Sequence, residues 1–237
     1  KSSQGNFQKS NVYLSRKEKP TNIHEDAILS SSKEMENMKA EFCKILNKIG
    51  AIEFGIFKLT SGKISPYYID LRIVPSFPDA FQRTCNLYIK LIENEIGSEG
   101  FERIAGIPTA GISFASVIAY HFKKPFLYVR REAKLHGRQR RVEGILMPGD
   151  RILLLDDLIT TGKSLINAAK AIRAEGGIVE DAVVLLDREE GGRENLEKEG
   201  IKLHALMKAS EAADKLYEIG AIDEEQYKTI LRQIKKK

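Results

Sequence analysis

The chain has 237 residues, 42% of them hydrophobic and 30% charged, with a net charge of +5. This is the composition of a globular protein with one sizeable core, and no stretch approaches the roughly 18 to 20 apolar residues of a membrane helix. Cys43 and Cys85 both sit in apolar-periodic segments, so buried thiols in a reducing, cytoplasmic setting are expected rather than a disulfide.

Residues 1–33 are rich in Lys, Ser, Asn and Gln without a sustained period, as in a flexible leader. From Glu34, the spacing of Met35, Met38, Phe42, Ile45, Leu46 and Ile49 predicts a helix ending at Gly50. Phe54–Leu59 and Ile64–Leu71 read as strands joined by the turn Thr60-Ser61-Gly62-Lys63. A long helix follows Pro78, with Cys85, Tyr88 and Ile92 near its apolar face. Strands and helices then alternate: strand Ile104–Ile107, helix Ile112–Phe122, strands Phe126–Val129 and Ile152–Leu155, helix Ser164–Glu175 and strand Val179–Leu186. That alternation specifies an α/β fold with a doubly wound parallel sheet. Leu203–Leu206 suits an edge strand, and Glu211–Lys237 reads as two helices split near Gly220.

Four segments carry candidate chemistry, three of them at the carboxyl ends of strands, where open α/β sheets bind ligands. Residues 152–164 run from four apolars into Asp156 and Asp157 and then Leu158, Ile159, Thr160, Thr161, Gly162, Lys163 and Ser164. Four successive apolars fill both faces of a strand, so it belongs in a covered sheet. The carboxylates suit sugar hydroxyls, and the small-residue turn opening a helix suits a phosphate. A ribose phosphate has both groups. Gly162-Lys163-Ser164 resembles the tail of a P-loop, but that motif requires glycine where Asp157 stands. A solvated acidic turn capping a helix is the structural alternative.

The other segments are the small-residue turn Gly106–Gly111, the basic stretch Arg130–Gly137 and the strand end Leu185–Gly192. The connection from Arg130 to Gly149, about twenty residues without apolar period, is long for a compact domain and concentrates cations. It lacks the aromatic interleaving of a nucleic-acid surface, so a small polyphosphate is the expected partner and no nucleic acid. Arg188 could meet a carboxylate or carbonyl of a planar ligand, or belong to a charged capping turn. His24, His121 and His204 receive no role.

Residues 152–164 closely match the phosphoribosyl pyrophosphate motif, and the chain thereby resembles the type I phosphoribosyltransferases. Ser61–Arg72, Arg130–Gly137 and Leu186-Asp187-Arg188 follow the order of the family's orotate-specific branch, over about residues 34–207. The resemblance implies a small hood over about 34–75, a core over about 76–207, C-terminal helices over about 208–237, and transfer of phosphoribose from 5-phosphoribosyl 1-pyrophosphate (PRPP) to orotate. It implies that Asp156 and Asp157 hold the ribose hydroxyls, Leu158 to Ser164 line the PRPP site, and Thr160 to Ser164 cradle the 5-phosphate. Arg130, Arg131, Lys134 and His136 would engage the pyrophosphate, with Lys134 catalytic. Thr160, Arg188 and Tyr68 would contact orotate. It further implies Mg2+ carried by PRPP without direct protein ligands, and a homodimer whose basic loop crosses to the partner. Two positions depart from the pattern: Thr60 and Ala110 stand where many or some members have lysine. With the fold kept, a purine or uracil transferase is the nearest alternative, and an RNA-binding sensor of PRPP the more distant one.

Overall fold

The computed structural model describes residues 23–58, 64–130 and 141–235. The chain divides into compact units Lys1–Glu34 and Met35–Lys237. In the first, the described part is the beginning of helix α1 (Ile23–Lys48). The helix starts at Ile23 rather than Glu34, because no glycine or proline breaks the backbone there, although the apolar period begins only at Met35.

In the second unit, β1 (Ile52–Lys58) and β2 (Ile64–Ile69) pair antiparallel with an irregularity between Phe54 and Phe57. The turn Thr60–Lys63 lies outside the described residues. A 3-10 turn at Leu71–Ser76 leads to α2 (Pro78–Glu95), whose first-turn proline lacks only an N–H that the helix would leave unbonded. The main sheet follows: β3 (Arg103–Gly106), α3 (Ala110–Phe122), β4 (Phe126–Val129), β5 (Val142–Glu143), β6 (Arg151–Leu155), β7 (Leu158–Ile159), α4 (Lys163–Ala174), β8 (Ile178–Asp187), α5 (Gly192–Lys198) and β9 (Lys202–Lys208). Helices α6 (Ala209–Glu218) and α7 (Glu224–Lys235) close the described chain.

The strand order is β5-β4-β3-β6-β8-β9, parallel except for β5. Strand β7 pairs with the end of β8 on the side that β6 occupies earlier, so β6 and β7 are one strand interrupted by Asp156 and Asp157. The expectation that β6 is covered on both faces holds. Leu153 and Leu155 enter the core shared with α1, α2 and α3, while Ile152 and Leu154 enter the core under α4 and α5.

Three elements had no counterpart in the expectations: β5, β7 and α5. Two-residue strands are too short to show alternation, and in α5 only Leu196 is a buried apolar side chain. β5 also shortens the connection after β4. The Arg130 amide donates to the Arg141 carbonyl at 2.8 Å, and the Arg141 guanidinium donates back to the Arg130 carbonyl, closing a stem. Cys43 and Cys85 are free and buried, and burial pushes both thiols up to about 12.

Candidate active site

The chain passes from β3 outward to β4 and then returns to β6 on the other side of β3, so the turns leaving β3 and β6 diverge and open a crevice. The first turn, Gly106–Gly111, lies against the acidic strand end. A Cβ on Gly111 would come within 2.6 Å of the Leu155 carbonyl oxygen and 3.0 Å of the Asp156 Cα, an approach only glycine allows. The Ile107 amide donates to the Leu155 carbonyl at 3.0 Å, and the Pro108–Thr109 peptide is cis.

Asp156 and Asp157 remain tied to β8 although they interrupt the strand. The Asp156 amide donates to the Val183 carbonyl and the Asp157 carbonyl accepts from the Leu185 amide. From below, the buried Tyr88 hydroxyl donates to the Asp156 carbonyl at 2.7 Å. The Asp157 amide donates to Oδ1 of Asp156 at 2.9 Å. Burial pushes the Asp157 carboxyl above its ordinary range, against opposing hydrogen bonds from Asp156 and backbone amides and the Arg72 charge. The Tyr88 phenol lies well above its usual range for the same principal reason.

Beyond the acid pair, Leu158 and Ile159 pair with β8 and pack into opposite cores. Thr160 and Thr161 are half-buried, and Gly162, at φ +78°, turns the chain into α4. The Gly162 carbonyl accepts from the Ile166 amide at 2.9 Å, leaving the first-turn amides, with exposed Lys163 and Ser164, available to an anion. Helix α5 supports this turn: Asn195 Nδ2 donates to the Thr161 carbonyl at 3.1 Å.

On the base side, Arg188 is 3% exposed. Its guanidinium lies 4.8 Å from the Tyr67 ring centroid, its terminal nitrogen donates to Ser65 Oγ at 3.4 Å, and its Nε lies 3.2 Å from a Glu190 carboxylate oxygen. Tyr68 stacks on Phe57 with centroids 5.5 Å apart, and its hydroxyl accepts from Arg72 at 2.8 Å. Arg72 also pairs with Asp70, which keeps the Asp70 carboxyl below its ordinary range.

On the cationic side, Arg130 pairs with Glu143 at 3.3 Å beside the stem. Arg131, Lys134 and His136 lie outside the described residues. The crevice thus gathers the acid pair, the phosphate turn and the turn after β3, with Arg188 at the end of β8. Sequence reasoning gave no role to Tyr88 or Asn195, and took in Ser65 and Glu190 only as members of the segments Ser61–Arg72 and Leu185–Gly192. Tyr88 reads as one more apolar position of α2, and the others carry no local pattern that names their partners.

Residues 80–213 match the phosphoribosyl transferase domain. The chain is 46% identical, over 181 residues covering 76% of it and 90% of the relative, to the orotate phosphoribosyltransferase of Cenarchaeum symbiosum. The crystal structure of orotate phosphoribosyltransferase from Aeropyrum pernix is similar with a TM-score of 0.65 at 29% identity, over 76% of this chain and 99% of that one. The structure of Leishmania donovani UMP synthase gives a TM-score of 0.76 at 32% identity, over 84% of this chain and 42% of that longer protein.

Proposed function

Because the chain belongs to the phosphoribosyl transferase family and, within it, to the orotate phosphoribosyltransferases, the pentosyltransferases (EC 2.4.2.10) of pyrimidine biosynthesis, we propose that this crevice binds PRPP along β6 and α4 and orotate beside Arg188. The reaction joins a ring nitrogen of orotate to C1 of the ribose as the bond from C1 to pyrophosphate breaks, giving orotidine 5-monophosphate and pyrophosphate. The observation that carries the arrangement is the interrupted strand. It presents two carboxylates and, a few residues later, a helix start, matching the hydroxyls and the 5-phosphate of one sugar.

In this reading Asp156 and Asp157 accept hydrogen bonds from the ribose hydroxyls. Thr160 to Ser164 surround the 5-phosphate, with α5 holding the turn from behind. Arg188 fixes the carboxylate or a carbonyl of orotate, and Tyr68 covers the ring. Lys134, with Arg130, Arg131 and His136, neutralises the departing pyrophosphate, where charge develops in the transition state. Mg2+ fits as an ion brought by PRPP. The acid pair supplies hard oxygen atoms of the kind that suit this ion beside the ribose. When bound, the ion adds positive charge at the pyrophosphate.

The enzyme works as a homodimer in which residues 131–140 reach the partner's crevice. The stem closed by Arg130 and Arg141 at the edge of the sheet supports this, since it holds together the two points from which such a loop would extend. A cytoplasmic location is supported by the two free, buried thiols, and no helix among the described residues is long and apolar enough to cross a membrane. Loss of orotate absorbance on adding PRPP and Mg2+ is the expected result, with pyrophosphate released in equal amount. Release with adenine or uracil but not with orotate would overturn the proposal.

A further inference from the structure

Arg188 is held on three sides, and only one of the holding groups carries charge. Tyr67 lies under its face, Ser65 accepts from one terminal nitrogen, and Glu190 faces Nε. The Arg188 and Glu190 side chains are 2% and 10% exposed, so this is a buried ion pair. It is an incompletely satisfied one. The 3.2 Å approach of Nε to Oε1 is close enough for ion pairing but not aligned as a hydrogen bond, and the other Glu190 oxygen, Oε2, is buried without any partner among the described residues.

Native interiors rarely leave two such atoms together, and where they do a functional constraint is the usual reason. A guanidinium recognises a carboxylate best through a fork of two parallel N–H groups. Pinning Nε on the Glu190 side leaves the terminal edge to make that fork. A ligand carboxylate must then share the arginine with Glu190, so Glu190 fixes geometry while it dilutes charge.

We propose that Glu190 is a positioning residue for the base: it orients Arg188 so that the terminal edge of the guanidinium selects a base bearing a carboxylate. This deepens, and rests on, the orotate reading above. The element that places it is the turn after β8. The Glu189 amide donates to the Asp187 carboxylate at 2.8 Å, and the Glu189 carboxylate accepts from the Ser210 amide at 2.9 Å, so the backbone flanking Glu190 is itself held.

The test measures pyrophosphate release from PRPP and Mg2+ with orotate and with uracil, which lacks the carboxylate, in the wild type, Glu190→Ala and Glu190→Gln. Glu190→Ala is expected to raise the KM for orotate about tenfold, because a guanidinium free to turn loses the fork geometry that meets the carboxylate and this outweighs the charge returned to it, while the KM for PRPP and the trace rate with uracil stay unchanged. Glu190→Gln keeps the shape and an oxygen facing Nε, so it should restore orotate KM to within about threefold of wild type. Equal losses for orotate and PRPP in Glu190→Ala, or a Gln variant as impaired as the Ala variant, would overturn the positioning role. Should Glu190→Ala fail to fold, Glu190→Gln together with Ser65→Ala decides. Ser65→Ala removes the terminal anchor and must also raise orotate KM selectively. A wild type that uses uracil as well as orotate would instead overturn the underlying reading, whatever the variants do.

Discussion

Asp157 carries a carboxyl that burial makes reluctant to ionise, yet its proposed duty requires the charged form. Ionisation is therefore expected to limit activity on the acid side. The acid limb of kcat/KM for PRPP should fall above the ordinary Asp value of 3.8 and disappear in Asp157→Asn. Turnover of that variant at neutral pH should drop roughly ten- to a hundredfold, the loss of one hydrogen bond to a charged group. Stability should move the other way. A carboxyl whose folded pKa is raised favours folding only at low pH, and that contribution is lost as pH rises through the folded value. Asp157→Asn should thus raise Tm at pH 7, with the gain shrinking as the pH approaches 3.8; a gain that grows on acidification would contradict the assignment. Tyr88 makes a simpler case. Tyr88→Phe strips the donor from the Asp156 carbonyl and should cost about 1 to 3 kcal/mol in urea unfolding, with no new pH dependence.

At the scale of elements, the phosphate turn is only as well placed as the short helix behind it. A Cβ on Gly192 would lie 2.4 Å from the Thr160 carbonyl oxygen and 2.6 Å from Ile159 Cγ1, so backbone has to move to admit it. Gly192→Ala should raise the KM for PRPP and leave that for orotate nearly unchanged, with a stability loss of about 1 to 3 kcal/mol from overpacking. A KM for PRPP equal to wild type would show that α5 does not position the turn. This helix was invisible in the sequence, as were β5 and β7, for want of enough apolar positions to show a period. β6 was legible because its alternate side chains enter two different cores and all read as apolar. The same difference divides the site. Asp156 to Ser164 form one contiguous run whose chemistry can be read in place. The Tyr88 contact spans 68 residues and the Ser65 to Arg188 contact 123, and no local pattern encodes either.

For the whole molecule, the proposed exchange of loops between partners has a distinctive signature. Lys134→Ala should cut turnover far more than orotate binding, because pyrophosphate carries the developing charge, a loss on the order of 2.7 to 4 kcal/mol. Mixing that variant with Asp157→Asn, each nearly inactive, should restore activity to about a quarter of wild type if each crevice takes its loop from the other subunit, since half of the dimers are hybrids with one intact site. No restoration after subunit exchange would place loop and acid pair in one subunit. The interrupted strand has a further consequence, for local opening. Because β8 is bonded to the chain before, at and after the acid pair, the ribose site has no route to fraying on its own. The amides of Asp156, Leu185 and Arg188 should exchange hydrogen only when the central sheet itself opens. Under rising denaturant, capacity to bind ribose phosphate should then vanish together with the core and not before it.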